Sequence, residues 1–197
     1  KRFNGHVFEL DDDLRDELAN STQLGAFADL IEGQQDAHGQ GSFWRLYSFR
    51  YLPVELISNI YQLFVEDKQS SIYTPPALVR LMLSEALSWE RIDRLTERDE
   101  IILDPACGSA VYLVESYKRL VLHWRMRNDW KKPKTADLKA LLTRVHGVDL
   151  EPGAIKLAAF SLCLALCEAL EPEHIRKSVQ LFPELEGETL HASCFFK

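Results

Sequence analysis

Residues 101–117 read IILDPACGSAVYLVESY, and this stretch decides the fold class. The apolar run from Ile101 to Asp104 predicts a short β-strand, because β-branched residues favour an extended, pleated backbone. The small residues that follow predict a sharp turn, and apolar residues return to helical spacing from Val111 to about Trp124. A strand, a turn and a helix in this order form the repeating unit of α/β proteins.

Two further stretches continue this alternation. VHGVDL at residues 145–150 predicts a second strand, followed by Pro152 and an apolar helix over residues 153–170. TLHAS at residues 189–193 predicts a third strand. Strands that alternate with helices predict an α/β fold with a parallel sheet covered by helices on both faces. Such sheets bind ligands beyond the carboxyl ends of their strands.

The N-terminal part of the chain favours helices. Predicted helices begin at Asp11 to Asp13, span Pro53–Glu66 and span Pro75–Ser88. Acidic residues complement the positive end of a helix dipole, and Thr74 is the candidate cap of the third helix. We therefore predict a mostly helical region over residues 1–70 and a partial ligand-binding sheet domain over residues 71–197.

Composition excludes several classes of protein. The 197 residues are 46% hydrophobic and 27% charged, with net charge −7, so the chain is globular and is not a general polyanion binder. Its longest apolar stretch has 11 residues, whereas a membrane-spanning helix needs about 20. The four Cys form no CxxC pair and the six His lack metal-ligand spacing, so we expect a cytoplasmic protein without a metal. Because the chain begins at Lys1, we expect the natural N-terminus to lie elsewhere.

The end of the first predicted strand offers a carboxylate beside a compact turn. Asp104 would suit a cationic or polar ligand, and the small residues after it let the backbone approach that ligand closely. Ser, Ala and Val follow Gly108, so the G-x-G-x-x-G loop of NAD or FAD proteins is absent, as is the GxxxxGK[ST] loop of nucleotide triphosphatases. An ordinary tight turn remains an alternative.

Two more positions suggest a nucleoside site. Asp149 stands at the end of the second strand, where a carboxylate accepts ribose hydroxyls, and Leu150 would cover an adenine face. The distance from Asp104 exceeds the usual spacing, so an insertion must follow the first helix. The Thr74 hydroxyl and the helix start beside it suit the carboxylate of an amino-acid ligand. A plain helix cap at Thr74 and a solvated strand end at Asp149 remain alternatives.

Three runs in the sequence carry a family resemblance. They are YTPPALVRLML from residue 73, ILDPACGSAVYLVESY from residue 102 and VHGVDLEPGAIKLAAFSLCLAL from residue 145. In order and character they resemble motifs X, I and II of S-adenosylmethionine-dependent adenine-N6 DNA methyltransferases, above all type I modification subunits and fused type II restriction-modification enzymes. The resemblance covers residues 52–170. It implies a Rossmann-like methyltransferase sheet, of which this chain holds the first strands.

The resemblance also implies a role for each matching residue. The cofactor carboxylate would be held by Tyr73, Thr74 and Pro75, and its amino group would face Asp104. The backbone around that amino group would come from Ala106, Cys107 and Gly108. Asp149 would bind the ribose hydroxyls, and Leu150 would lie on the adenine. Two positions depart from the family. Ala110 replaces a second glycine, which would put a methyl group near the cofactor. Ser193 stands at motif III, where a hydroxyl is a weaker acceptor for the adenine amino group than a carboxylate.

The family's catalytic tetrapeptide, Asn, Asp or Ser followed by Pro-Pro and an aromatic residue, does not occur in the sequence. We expect it beyond Lys197, so the fragment would be inactive while its parent methylates adenine in DNA. The resemblance implies DNA and a restriction or specificity subunit as partners, in a restriction-modification or phage-defence system. The alternatives are N4-cytosine or protein-glutamine methylation, or a non-catalytic DNA-binding scaffold with a degenerate cofactor site.

Basic residues concentrate in one segment. Lys118 to Arg144 contain nine Lys or Arg against two Asp, a local charge of +7. With Trp124 and Trp130 interleaved, the segment would suit a DNA backbone or an unpaired base. The alternative is a solvated insertion anchored by the tryptophans.

Overall fold

The structure is a computed structural model that describes residues 12–20, 25, 74–177 and 181–196. The predicted helix over Pro53–Glu66 lies outside the described residues, and so does Tyr73. None of the described helices is long and apolar enough to cross a membrane. The cytoplasmic location stays a prediction.

The chain divides into two compact units, Phe8–Pro53 and the combination of Lys1–Val7 with Val54–Lys197. The predicted division between residues 70 and 71 stays a prediction. In the smaller unit, helix α1 spans Asp12–Asn20 and carries two aspartates in its first turn. The predicted acidic helix start is therefore confirmed.

The larger unit alternates helices and strands. Its elements are α2 (Pro76–Ala86), α3 (Trp89–Glu97), β1 (Ile102–Asp104), α4 (Val111–Arg127), α5 (Thr135–Leu142), β2 (Val145–Asp149), α6 (Pro152–Glu168), α7 (Pro172–Lys177) and β3 (Leu190–Ala192). The three predicted strands and their long helices are confirmed to within a few residues. The helices α3, α5 and α7 were not predicted, and α5 occupies part of the insertion expected between the first two strands.

The three strands form a parallel sheet in the order β1-β2-β3. Asp104 lies opposite Gly147, and Asp149 lies opposite Ala192. The carboxyl ends of all three strands therefore meet at one edge, called the carboxyl edge below. The α/β class is confirmed.

The described helices α4 and α6 pack against the same face of the sheet and against each other. That face is buried, with Val145 and Leu190 inaccessible to solvent, whereas Leu103 on the other face is 45% exposed. The expectation that helices cover both faces is therefore wrong for the described residues. The strand order follows the chain order, so the connections from β1 to β2 and from β2 to β3 run in the same direction across the sheet. Because such connections are right-handed, both place their helices on the same face.

Gly147 brings α4 and the β1 loop close to β2. A Cβ atom at this position would lie 2.7 Å from Leu113 Cδ1, 2.8 Å from Cys107 Sγ and 2.9 Å from Leu190 Cδ2. The space above β2 is thus filled by neighbouring side chains, and only glycine leaves room for them.

Helix α2 packs parallel to α4. Arg80 pairs with the buried Glu115 at 3.4 Å, and further along Arg119 Nε donates to the Leu87 carbonyl at 2.6 Å. Residue numbers rise together in these contacts, so both helices begin at the same end. Because α4 begins directly after the β1 loop, the N-terminus of α2 also lies at the carboxyl edge.

Helix α3 is joined to the far half of α4 by a polar cluster. Asp93 accepts from His123 Nε2 at 2.9 Å and from Arg127 Nε at 3.1 Å. The ring of Trp89 stacks on His123 at 6.0 Å, and the Arg119 guanidinium lies 4.0 Å from the Trp89 ring centre. These contacts fix α4 from the side away from the sheet.

Candidate functional site

The loop from Pro105 to Ala110 turns the chain from β1 into α4 through two left-handed residues. Gly108 has φ 51° and Ala110 has φ 71°. Ala110 is inaccessible to solvent and belongs to the hydrophobic core. Its methyl group therefore packs inside the protein, and the expectation that it lies near the cofactor stays a prediction. The left-handed backbone also gives an alanine at this position a conformational cost that a glycine would not have.

The backbone N–H groups of this loop are already used within the protein. Ala106 donates to Asp104 Oδ1 at 3.1 Å, Cys107 donates to the Val148 carbonyl at 3.0 Å and Gly108 donates to Asp149 Oδ2 at 2.8 Å. Their N–H groups are therefore not free for a ligand, and the Cys107 carbonyl also accepts from the Ala110 N–H at 2.8 Å, so what the turn can offer is the remaining acceptor capacity of its carbonyl oxygens. A ligand group that donates hydrogen bonds, such as an ammonium, suits this loop.

Asp149 connects the three strand ends. Besides the bond from Gly108, its Oδ1 accepts from the Glu151 N–H at 3.0 Å, and its carbonyl accepts from the Ser193 N–H at 2.8 Å. A carboxylate has about four acceptor positions, so about two remain for a ligand. Two adjacent hydroxyls on a sugar match that capacity.

The carboxyl edge carries two acidic groups, Asp104 and Asp149. Burial raises the pKa of Asp104, and the nearby charge of Asp149 raises it further, while the hydrogen bond from Ala106 opposes the shift. In the part of the chain that the structure describes, neither carboxylate pairs with Lys, Arg or His. The positive ends of α2, α4 and α6 point toward this edge and offset part of the negative charge. A cationic ligand would complete the neutralisation.

Thr74 precedes the helix but does not cap it. Helix α2 begins at Pro76, Pro75 holds the cap position with ψ 136°, and no side-chain hydrogen bond caps the helix. The predicted cap at Thr74 is therefore wrong. A residue before proline is pushed to extended backbone, so Pro76 keeps Pro75 out of the helix and shifts its start by one residue. Thr74 directly precedes this helix start, and its place beside the cofactor stays a prediction.

Apolar side chains flank the acidic groups on the β2 and β3 side. Leu150 is 71% exposed directly after Asp149, and the exposed Ser193 follows β3. Phe195 and Phe196 come next, are 47% and 91% exposed, and contact each other edge to face at 5.3 Å. Sequence reasoning missed this aromatic pair, although two aromatic residues directly after a predicted strand were a usable signal.

Cys107 serves packing in this loop. Its side chain is 6% exposed, and burial raises the pKa of its thiol to about 12. A thiol that stays protonated at neutral pH is neither a nucleophile nor a metal ligand.

The basic segment Lys118–Arg144 lies away from the carboxyl edge. Helix α4 runs from the β1 loop for 17 residues, about 25 Å at 1.5 Å per residue, and most of the segment follows its far half. Five of its nine cations pair with acids, namely Lys118 with Glu168, Arg127 with Asp93, Lys131 with Asp129, Lys132 with Glu171 and Arg144 with Asp99. Asp129 lies within the segment and is already counted in its charge, so the other four acids reduce the local excess from +7 to +3.

A cavity of about 330 Å³ opens at this far end, between α4, the loop after it and the end of α6. Its charged walls include Lys132 paired with Glu171. It is remote from the strand ends and does not contribute to the candidate site.

Comparison with known proteins identifies similar sequences. The family described as N-6 DNA Methylase matches residues 55–189. A protein of Methanocaldococcus jannaschii named as a type II restriction enzyme and methyltransferase is 34% identical over 98 residues, 47% of this chain and 8% of that protein. The methylase subunit of type I restriction enzyme MjaVII from the same organism is 28% identical over 162 residues, 74% of this chain and 26% of that subunit.

A third relative comes from Streptomyces coelicolor. Its adenine-specific methyltransferase PglX is 35% identical over 68 residues, 34% of this chain and 6% of that protein. The chain thus spans between 6% and 26% of the length of these three relatives. No solved structure matches the chain significantly.

Proposed function

The chain belongs to the N-6 DNA Methylase family, and from that premise we propose that it forms the S-adenosylmethionine-binding part of an adenine-N6 DNA methyltransferase from a restriction-modification or phage-defence system. Its sheet is the first part of a Rossmann-like methyltransferase fold. The observation that carries the proposal is the pair of strand-end carboxylates, Asp104 and Asp149, which meet around the Gly108 turn and pair with no cation among residues 74–177 and 181–196.

The residues present fit this cofactor. A Cβ at Gly108 would meet no protein atom within 4 Å, so space is open above the turn for a ligand. In our proposal Asp104 faces the cofactor ammonium, together with the carbonyl oxygens of Ala106, Cys107 and Gly108. Opposite charges at hydrogen-bond distance bind more strongly than neutral partners.

The nucleoside half of the cofactor falls to the next two strand ends. Asp149 accepts the ribose hydroxyls with its remaining acceptor positions, and the exposed Leu150 covers one face of the adenine. The Ser193 hydroxyl accepts from the adenine amino group. Tyr73, Thr74 and Pro75 hold the carboxylate beside the N-terminus of α2, where the helix dipole favours negative charge.

S-adenosylmethionine supplies a methyl group on a sulfonium, and the chain's own part is to bind and orient the molecule. Methylation of adenine N6 in DNA requires a base extruded from the duplex and held against the cofactor. The family's catalytic tetrapeptide has an aromatic residue after its two prolines, whereas Pro75 and Pro76 are followed by Ala77. We therefore assign no residue of this chain to the target base.

Binding of S-adenosylhomocysteine, measured by calorimetry, tests the proposal. Asp104→Asn and Asp149→Asn should each weaken binding by about 10- to 100-fold, because a hydrogen bond to a charged group contributes about 1.5–3 kcal/mol. Asp129→Asn is the matched control, since that exposed acid lies at the far end of α4. Absence of binding, or equal binding by all three variants, would contradict the proposal.

DNA and a restriction or specificity subunit are the partners that we propose for the whole protein, in line with the names of its relatives. The paired cations and the distance from the strand ends favour a solvated surface over a DNA contact for Lys118–Arg144. Replacing Lys131, Lys132 and Lys134 with Glu should therefore leave DNA affinity and its salt dependence unchanged. If the slope of the logarithm of the DNA-binding constant against the logarithm of salt concentration fell in magnitude by about three, the three lysines would be DNA contacts after all.

A further inference from the structure

We propose that Asp149 has a second function beside its contact with the ribose, as the positioning residue that holds the β1 loop in its binding conformation before a ligand arrives. This inference rests on the proposed function for the identity of the ligand. Its structural basis is the bond from the Gly108 N–H to Asp149 Oδ2, which joins residues 41 positions apart in the sequence.

Two bonds tie the β1 loop to β2. The Cys107 N–H donates to the Val148 carbonyl, and the Gly108 N–H donates to the Asp149 side chain. The first bond continues the backbone contacts of the sheet and needs no particular side chain. The second depends on the side chain at position 149, so that side chain controls where the turn at Gly108 lies.

The carboxylate of Asp149 is itself held in one orientation. One oxygen accepts from Gly108 and the other from the Glu151 N–H at 3.0 Å. Both donors are backbone groups, so they fix the side chain with little freedom to rotate. The remaining acceptor positions then point in fixed directions when a ligand enters, which lowers the ordering cost of binding.

Loss of this acceptor would affect a part of the ligand that Asp149 does not contact. Without it, the Gly108 N–H lacks a partner and the turn must shift to find one. The same turn carries Ala106, whose N–H orients the Asp104 carboxylate. A shift of the turn therefore disturbs the group that faces the amino-acid half of the cofactor.

The test compares two ligands with the wild type and Asp149→Asn. S-adenosylhomocysteine reaches both halves of the site, whereas adenosine reaches only the nucleoside half. An asparagine keeps the shape of the side chain but accepts from only one of the two N–H donors. We expect the affinity for S-adenosylhomocysteine to fall at least tenfold more than the affinity for adenosine. Equal losses of affinity for the two ligands would overturn the positioning function, because a residue that contacts only the ribose weakens both ligands equally.

Asp104→Asn provides the reference for this comparison. It should weaken S-adenosylhomocysteine binding and leave adenosine binding unchanged, since Asp104 faces the amino-acid half alone. A matching pattern of selective loss in Asp149→Asn then shows that both substitutions act on the same half of the site.

Amide hydrogen exchange of the ligand-free protein, followed residue by residue by NMR, separates this inference from the proposed function. Asp149→Ala, which removes both acceptor oxygens, should speed exchange of the Gly108 amide at least tenfold, while the Val114 amide, bonded to the Ala110 carbonyl at 2.8 Å, keeps its rate. An unchanged Gly108 rate would overturn the inference whatever the ligands do. Faster exchange in a protein that binds neither ligand would refute the proposed function and leave the positioning of the loop intact.

Discussion

Substitution of Gly147 by alanine should destabilise the protein through steric overlap alone. The new Cβ would approach three side-chain atoms at 2.7–2.9 Å, whereas ordinary contacts begin at 3.4 Å. Leu113, Cys107 and Leu190 would each have to retreat by roughly half an ångström or more, and all three are buried. Overpacking of this kind costs about 1–3 kcal/mol, and we expect Gly147→Ala to lower the free energy of unfolding by that amount.

Urea denaturation measures this loss as a lower midpoint at an unchanged m-value. A double-mutant cycle with Cys107→Ala tests the cause, because removal of the Sγ atom takes away one of the three overlaps. Gly147→Ala should cost less in the Cys107→Ala background than alone. A cost below about 0.5 kcal/mol, or strictly additive effects of the two substitutions, would refute the argument from packing.

Three further predictions concern the loop, its acid and the outer polar cluster. Ala110→Gly should change the free energy of unfolding by less than about 1 kcal/mol in urea titrations, because relief of left-handed strain offsets a lost buried methyl and a freer unfolded chain. Asp104→Asn should stabilise the protein at pH 7, since burial raises the pKa of this carboxyl, and the gain should vanish below the unfolded pKa of about 3.9. The Arg127 hydrogen bond lowers the pKa of Asp93 in the folded protein. This stabilises the folded state at pH values above the pKa of Asp93 in the unfolded chain, and the stabilisation is lost as the pH falls through the lower pKa of the folded state. Arg127→Gln should therefore lose less stability than the wild type between neutral and acidic pH, measured by thermal unfolding.

Local patterns predicted the elements that lie in the core. The strand at Ile102–Asp104 and the helix α6 were recognised because their apolar residues follow the period of the structure they form. Helix α3 was missed although Trp89, Ile92 and Leu95 recur at three-residue spacing, because the helix has only nine residues and its other six positions are polar. Ile92 and Leu95 are buried in the core, so packing against the rest of the fold stabilises this short helix.

The candidate site was predicted in outline and not in detail. Strand-end position was enough to select Asp104 and Asp149, since the ends of parallel strands meet at one edge. The direction of the Ala110 methyl depends on a left-handed backbone that no local pattern indicated, so its burial in the core was not foreseen. The bond between Gly108 and Asp149 joins two loops distant in sequence and became visible only in the folded chain.

The parallel register has a consequence for the order of folding. Ile102 pairs with Val145 and Gly147 pairs with Leu190, so both strand pairs close loops of the same length, 43 residues. Loop-closure entropy depends on length and is therefore equal for the two halves. The stability of the helical segment between the paired strands then decides whether β1 and β2 or β2 and β3 pair first. Each half contains a helix of 17 residues, but α6 holds four Ala and four Leu whereas α4 holds three Leu and no Ala. Because Ala and Leu favour the helix most, we expect the transition state for folding to be organised around β2, α6 and β3.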